Sequence, residues 1–118
     1  MIIKYRRTKE EKLCKNEYKA IKQLGRDVAQ DLFDLIDAIE NSATSLKDIQ
    51  LPQYRLHPLL GNKKGLYSLT ISNNSKYRIE FIPLDENFEK AYCNNDLNTF
   101  YKSIKNIEII EISEHYDK

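Results

Sequence analysis

The sequence predicts an α+β domain, in which two N-terminal helices cover one face of a small, mainly antiparallel β-sheet. Three observations lead there. Apolar residues in the first half recur at three- and four-residue steps, the period falls to two beyond Pro52, and the stretch from Ile107 to Ile112 is almost continuously apolar. With 118 residues the chain is sized for one compact domain over 1–118, with one core.

Taking the elements in order, Ile2-Ile3-Lys4-Tyr5 reads as a short first strand. A helix should open at Thr8, whose hydroxyl and Glu11 three residues on can satisfy each other's orphan amides. Leu13, Tyr18, Ile21 and Leu24 give it an apolar stripe, and Gly25 supplies a stop. In the second helix Val28, Leu32, Leu35, Ile36 and Ile39 repeat at helical spacing, while Asp27, Asp31, Asp34 and Asp37 take other faces. It should end between Asn41 and Thr44. The two helices are expected to pack as an antiparallel pair on the sheet, the alternative being one helix running through Gly25.

Beyond the helices, Tyr67, Leu69 and Ile71 alternate with Ser68, Thr70 and Ser72, and Tyr77, Ile79 and Phe81 alternate with Arg78 and Glu80. The turn residues Asn73-Asn74-Ser75 join them into a hairpin. Parity then puts Arg78 with Ser68, Thr70 and Ser72 on the polar face, turned away from the helices and open to a ligand. Tyr67 belongs to the apolar set, so burial is expected of it rather than stacking on a base. Pro83 is expected to end the strand, Asp85 to Asn98 reads as loop, and a helical turn is expected around Leu97 to Ile104. Ile107 to Ile112 suits a central strand covered on both sides at its start.

Nineteen basic against eighteen acidic residues leave a net charge of only +1, which argues against broad nucleic-acid affinity. The distribution points the other way. Between Pro52 and Phe81 stand Arg55, Lys63, Lys64, Lys76 and Arg78 against the single acid Glu80, clustered around a histidine and the aromatics Tyr67 and Tyr77. Such a cluster is either a solvated face or a polyanion site. No apolar run is long enough for a membrane span and the first residues lack a secretory pattern, so a cytoplasmic location is expected. Cys14 and Cys93 have no second ligand at metal-binding spacing; Cys14 should pack, Cys93 should lie in a loop, and a disulfide is not expected.

The run Arg55-Leu56-His57-Pro58-Leu59-Leu60-Gly61, the Lys63-Lys64-Gly65 turn, the Tyr77-Arg78-Ile79-Glu80-Phe81 strand and the terminal Glu114-His115-Tyr116 appear in an order that resembles the HigB-type branch of the RelE toxin superfamily. The resemblance implies an RNA endonuclease that cuts messages on the ribosome, needs no metal or organic cofactor, and is the toxin of a type II toxin-antitoxin pair. It further implies a HigA-like helix-turn-helix antitoxin as partner, with operator DNA reached only through that antitoxin. Two positions depart from the family pattern. Leu60 stands where relatives often carry lysine, and His115-Tyr116 reverses the usual order of tyrosine and histidine.

Metal-free RNA cleavage requires a base for the 2′-hydroxyl proton, an acid for the leaving 5′-oxygen and cations for the developing charge. On the resemblance, His57 is an acid, a base or a direct partner of the scissile phosphate, and Arg78 stabilises the pentavalent phosphate through its fork of donors. The bland alternatives are a loop histidine that merely caps or packs, and an ion pair of Arg78 with Glu80 or another acid. His115 is the preferred terminal catalytic residue, with Tyr116 in reserve. Arg55, Lys63, Lys64 and Lys76 are the expected RNA-backbone contacts, where lysine serves as a flexible point charge. The rival reading is a RelE-fold module, weak or inactive in catalysis, that acts with its antitoxin as a co-repressor.

Overall fold

The two-residue period beyond Pro52 is realised in a sheet whose strands carry apolar residues on one face and polar residues on the other. A computed structural model describes residues 1–72, 76–94 and 96–114. Among them five strands, β1 (Ile2–Tyr5), β2 (His57–Pro58), β3 (Tyr67–Thr70), β4 (Tyr77–Leu84) and β5 (Asn106–Glu114), lie in the order β1-β5-β4-β3-β2. Only β1 and β5 run parallel, with Ile3 opposite Ile107; the other neighbours are antiparallel. The expected hairpin of β3 and β4 is present, and its turn at Asn73-Asn74-Ser75 lies outside the described residues.

The isoleucine run is an interior strand whose parity changes midway. Phe81 pairs with Ile109 and Ile79 with Ile112, so Ile110 and Glu111 together oppose Glu80 in a β-bulge. The extra residue carries Ile107, Ile109 and Ile112 all onto the core side, where all three are buried. Pro83 does not end β4, which continues to Leu84. The last β3 partner along β4 is opposite Phe81, so two residues on Pro83 faces an edge that β3 no longer occupies. Its carbonyl there accepts from the Ala91 amide at 2.9 Å, and no ladder donor is missed from a ring that has none.

The helical half is more divided than its apolar spacing suggests. Three helices, α1 (Thr8–Lys15), α2 (Glu17–Leu24) and α3 (Arg26–Asp37), replace the expected two. Asn16 leaves helical geometry at φ −122°, ends α1, and caps α2 by accepting from the Lys19 amide at 3.0 Å. Gly25 at φ +87° breaks the chain between α2 and α3, which rules out a continuous helix there. The Thr8–Glu11 capping box is not formed: Arg7 is the N-cap, without a side-chain hydrogen bond, and Glu11 pairs with Lys15 instead. Breaking the helix at Asn16 also rotates Tyr18 out of the stripe, to 73% exposure, and brings Ala20 into it. After α3 the chain winds wider over Ala38–Ser42 and stops at Ala43, within the expected interval.

Leu13, Leu24, Leu32, Leu35, Ile36 and Ile39 pack with Leu69, Ile79, Phe81, Ile107 and Ile109 into one core between the helices and the sheet. A fourth helix, α4 (Leu97–Ser103), fulfils the expected turn and is capped by Asp96, which accepts from the Thr99 amide at 2.8 Å. It delivers Phe100 and Tyr101 to the core, where both rings lie about 6 Å from Tyr67, itself buried as expected. Cys14 packs there too, Cys93 is half-buried outside the regular elements, and neither forms a disulfide. No helix among the described residues is long and apolar enough to cross a membrane.

Candidate nucleic-acid interface

The register fixes which side chains share the face opposite the helices. His57 pairs with Ser68, Ser68 with Glu80, and Glu80 with Glu111, so these four form one row across β2, β3, β4 and β5. Thr70, Arg78 and Ser113 form the next row. Strands in a sheet lie about 4.8 Å apart, so the backbones of His57 and Glu80 stand about 10 Å from one another. Arg78 is thus on the expected polar face.

His57 arrives there by a tight local route. A 3-10 turn over Pro52–Tyr54 ends at Arg55, which adopts the left-handed conformation at φ 47°. The Arg55 carbonyl lies 2.6 Å from Nδ1 of His57. A carbonyl only accepts, so Nδ1 carries the proton of this contact and Nε2 is the ring nitrogen left to a ligand. His57 is exposed, and the Arg55 side chain is exposed at the same rim.

The basic turn behaves differently at its two lysines. Gly61–Lys63 forms a 3-10 turn between glycines at φ +66° and +96°. Lys63 folds back over β3 and donates to both carboxylate oxygens of Glu80 at 2.9 Å, whereas Lys64 is exposed. Lys76 is exposed where the chain enters β4. Sequence reasoning missed a further cation, Lys90, whose Nζ sits 2.9 Å from where a Cβ on Gly65 would fall. Only the close return of the Asp85–Asn94 segment brings it there, and no local pattern announces such an approach.

The larger omission is Glu80. It is 1% exposed, yet lies on the polar face, and Arg78 Nη2 donates to its Oε2 at 2.5 Å alongside the two bonds from Lys63. The foreseen ion pair of Arg78 with Glu80 is therefore present, and Lys63 joins it. Arg78 itself is 15% exposed, and its Nε is buried without a hydrogen-bond partner among the described residues. The signal was legible: Glu80 is the one acid in a basic stretch, two residues from Arg78 and on the same face. His115 and Tyr116, the remaining catalytic candidates, lie outside the described residues.

The arrangement offers a histidine with one ring nitrogen turned from its backbone contact, a half-buried guanidinium and a lysine gathered on one carboxylate, and further lysines at the rim. Among the described residues no cluster of three histidine, cysteine or acidic side chains is positioned to hold a metal. What such a surface can do chemically is bind a phosphodiester and move a proton beside it.

No protein-family model matches the chain. It is 32% identical over 56 residues to the endoribonuclease HigB of Proteus vulgaris, a match covering 46% of this chain and spanning 61% of the length of that protein. Its fold is similar to that of the YoeB/ParE toxin from Agrobacterium tumefaciens, with a TM-score of 0.50 at 14% identity, over 98% of this chain and 100% of that one. The chain thus shares its overall α+β architecture, helices on one face of a mostly antiparallel sheet, with that solved structure.

Proposed function

We propose that this protein is the toxin of a type II toxin-antitoxin pair, a ribosome-dependent mRNA endonuclease of HigB type. The observation that carries the reading is the convergence of Arg78 and Lys63 beside the His57 row, on the sheet face that the helices leave open. The likeness to HigB and to a YoeB/ParE toxin supports it.

In this reading the 2′-hydroxyl attacks the adjacent phosphate without a metal, and Nε2 of His57 takes or returns a proton. Arg78 and Lys63 stabilise the charge on the pentavalent phosphorus, and Arg55, Lys64 and Lys76 hold the flanking backbone. On the same reading His115, with Tyr116 in reserve, shares the proton transfers. The ribosome orders the message into attack geometry, which lets a sparse set of groups suffice. A HigA-like helix-turn-helix protein neutralises the toxin and carries it to operator DNA, and the complex works in the cytoplasm.

One observation favours a second reading. Glu80 already occupies both groove cations, as it would in a module that has lost cleavage and serves its antitoxin as a co-repressor. Induced expression in a bacterium separates the two, comparing the intact chain with folded His57→Ala and Arg78→Ala variants while new message ends are mapped by primer extension. Growth arrest with in-frame cuts, lost in both variants, is the expected result. Normal growth with abundant folded protein would overturn the nuclease reading in favour of the co-repressor.

A further inference from the structure

We infer that Glu80 is a positioning residue, one that holds Arg78 and Lys63 as a preformed two-cation clamp for the scissile phosphate and takes no proton itself. The inference rests on the nuclease reading of the same groove. A carboxylate at the centre of a surface meant for a polyanion repels its ligand, so its presence calls for a compensating role. Its geometry supplies one. Oε1 accepts from Lys63, and Oε2 accepts from both Lys63 and Arg78.

Lys63 is the residue that gains most from this. Its side chain is 46% exposed on a flexible stem, and freezing such a chain when RNA arrives would cost rotamer entropy at that moment. Glu80 imposes that order beforehand. The same anchor fixes the plane of Arg78 while leaving its Nε unpaired among the described residues. A buried donor without a partner is costly.

The bonding also excludes Glu80 as the general base. Both oxygens are engaged and the residue is 1% exposed, so a 2′-hydroxyl meets it only after the clamp has come apart. Removal of Glu80 should therefore uncouple affinity from turnover. A structural residue would lower both together.

The test uses the full chain and three readouts: affinity for a non-cleavable 2′-O-methyl RNA oligonucleotide, turnover on message-programmed ribosomes, and the Arg78 Nε–H resonance by NMR. For Glu80→Gln, affinity should hold or rise because a negative charge has left the groove. Turnover should fall on the order of 100-fold, the scale of a displacement of about 1 Å at a reacting centre. Glu80→Asp keeps the charge but withdraws the carboxylate by one methylene, and serves if the glutamine variant does not fold; it should show the same split. Turnover within twofold of wild type, or affinity and turnover falling by the same factor, would overturn the assignment. If the wild-type chain does not cut ribosome-bound message, the nuclease reading fails on its own account and the resonance decides: broadening in the variants sustains the clamp, and an unchanged signal dismisses it.

Discussion

The two faces of the sheet are built from the same strands by alternate residues, and they solve opposite problems. On the helical side Leu69, Ile79, Phe81, Ile107 and Ile109 are buried among side chains that need no partner beyond van der Waals contact. On the other side Ser68 and Glu80 are buried nearly as deeply, but Glu80 is held by directed bonds to Lys63 and Arg78. One face depends on volume, the other on pairing. Substitution should therefore register as lost stability on the first and as lost chemistry on the second.

The sharpest contrast pairs Phe81 with Arg78, three residues apart on β4 and on opposite faces. Phe81→Ala should cost about 3–5 kcal/mol of stability, read from the midpoint of urea denaturation. On the proposed nuclease reading, Arg78→Ala should lower turnover on programmed ribosomes by about 10²–10³-fold, the scale of losing one preorganised donor, with a smaller change in the urea midpoint because Lys63 still pairs with Glu80. Equal losses of stability from both would erase the distinction between the faces.

Smaller effects probe how the closed face is assembled. Asn16→Ala removes the cap that separates α1 from α2 and should cost about 1 kcal/mol in the same denaturation experiment. Burial on this side pushes the Cys14 thiol up to about 12. At pH 8 roughly one part in ten thousand is then thiolate, so native protein should leave Cys14 unalkylated by iodoacetamide while urea-unfolded protein reacts fully. Rapid native alkylation at Cys14, read by peptide mass, would show that the core is open there.

The smallest effect is acidic. Hydrogen bonds from the Thr44 amide and hydroxyl hold the Asp48 carboxyl below its ordinary value, since they favour the ionised form. Its folded value lies below its unfolded one, so its contribution is complete above the unfolded value and fades as pH falls toward the folded one. Asp48→Asn should thus lower the melting temperature near neutrality and lose that difference below about pH 4. A difference that persists at low pH would assign the effect to shape.

Much of this was legible in the sequence, for reasons that individual residues make plain. Period-two alternation gave the right face to Arg78 and Tyr67, because side-chain direction in a strand is set by the backbone itself. Gly25 was a dependable stop, since its positive φ is cheap only for glycine. Asn16 was missed because an asparagine serves equally well inside a polar helical face and as a cap, and only packing selects between them. Pro83 misled because its penalty depends on whether a neighbouring strand needs its amide, and β3 ends before it.

The sequence by itself therefore determined the helical first half and the β3–β4 hairpin, the division of residues between an apolar and a polar face, and the group of basic residues around His57. Each follows from local geometry and transfer from water, which act within a few residues of chain. The tertiary structure alone decided that β1 joins β5 in parallel, that a bulge at Ile110 brings the last isoleucines into the core, and that Lys63 and Arg78 meet on Glu80. Those are contacts between distant segments, and their energies exist only once the chain has closed the loops that bring them together.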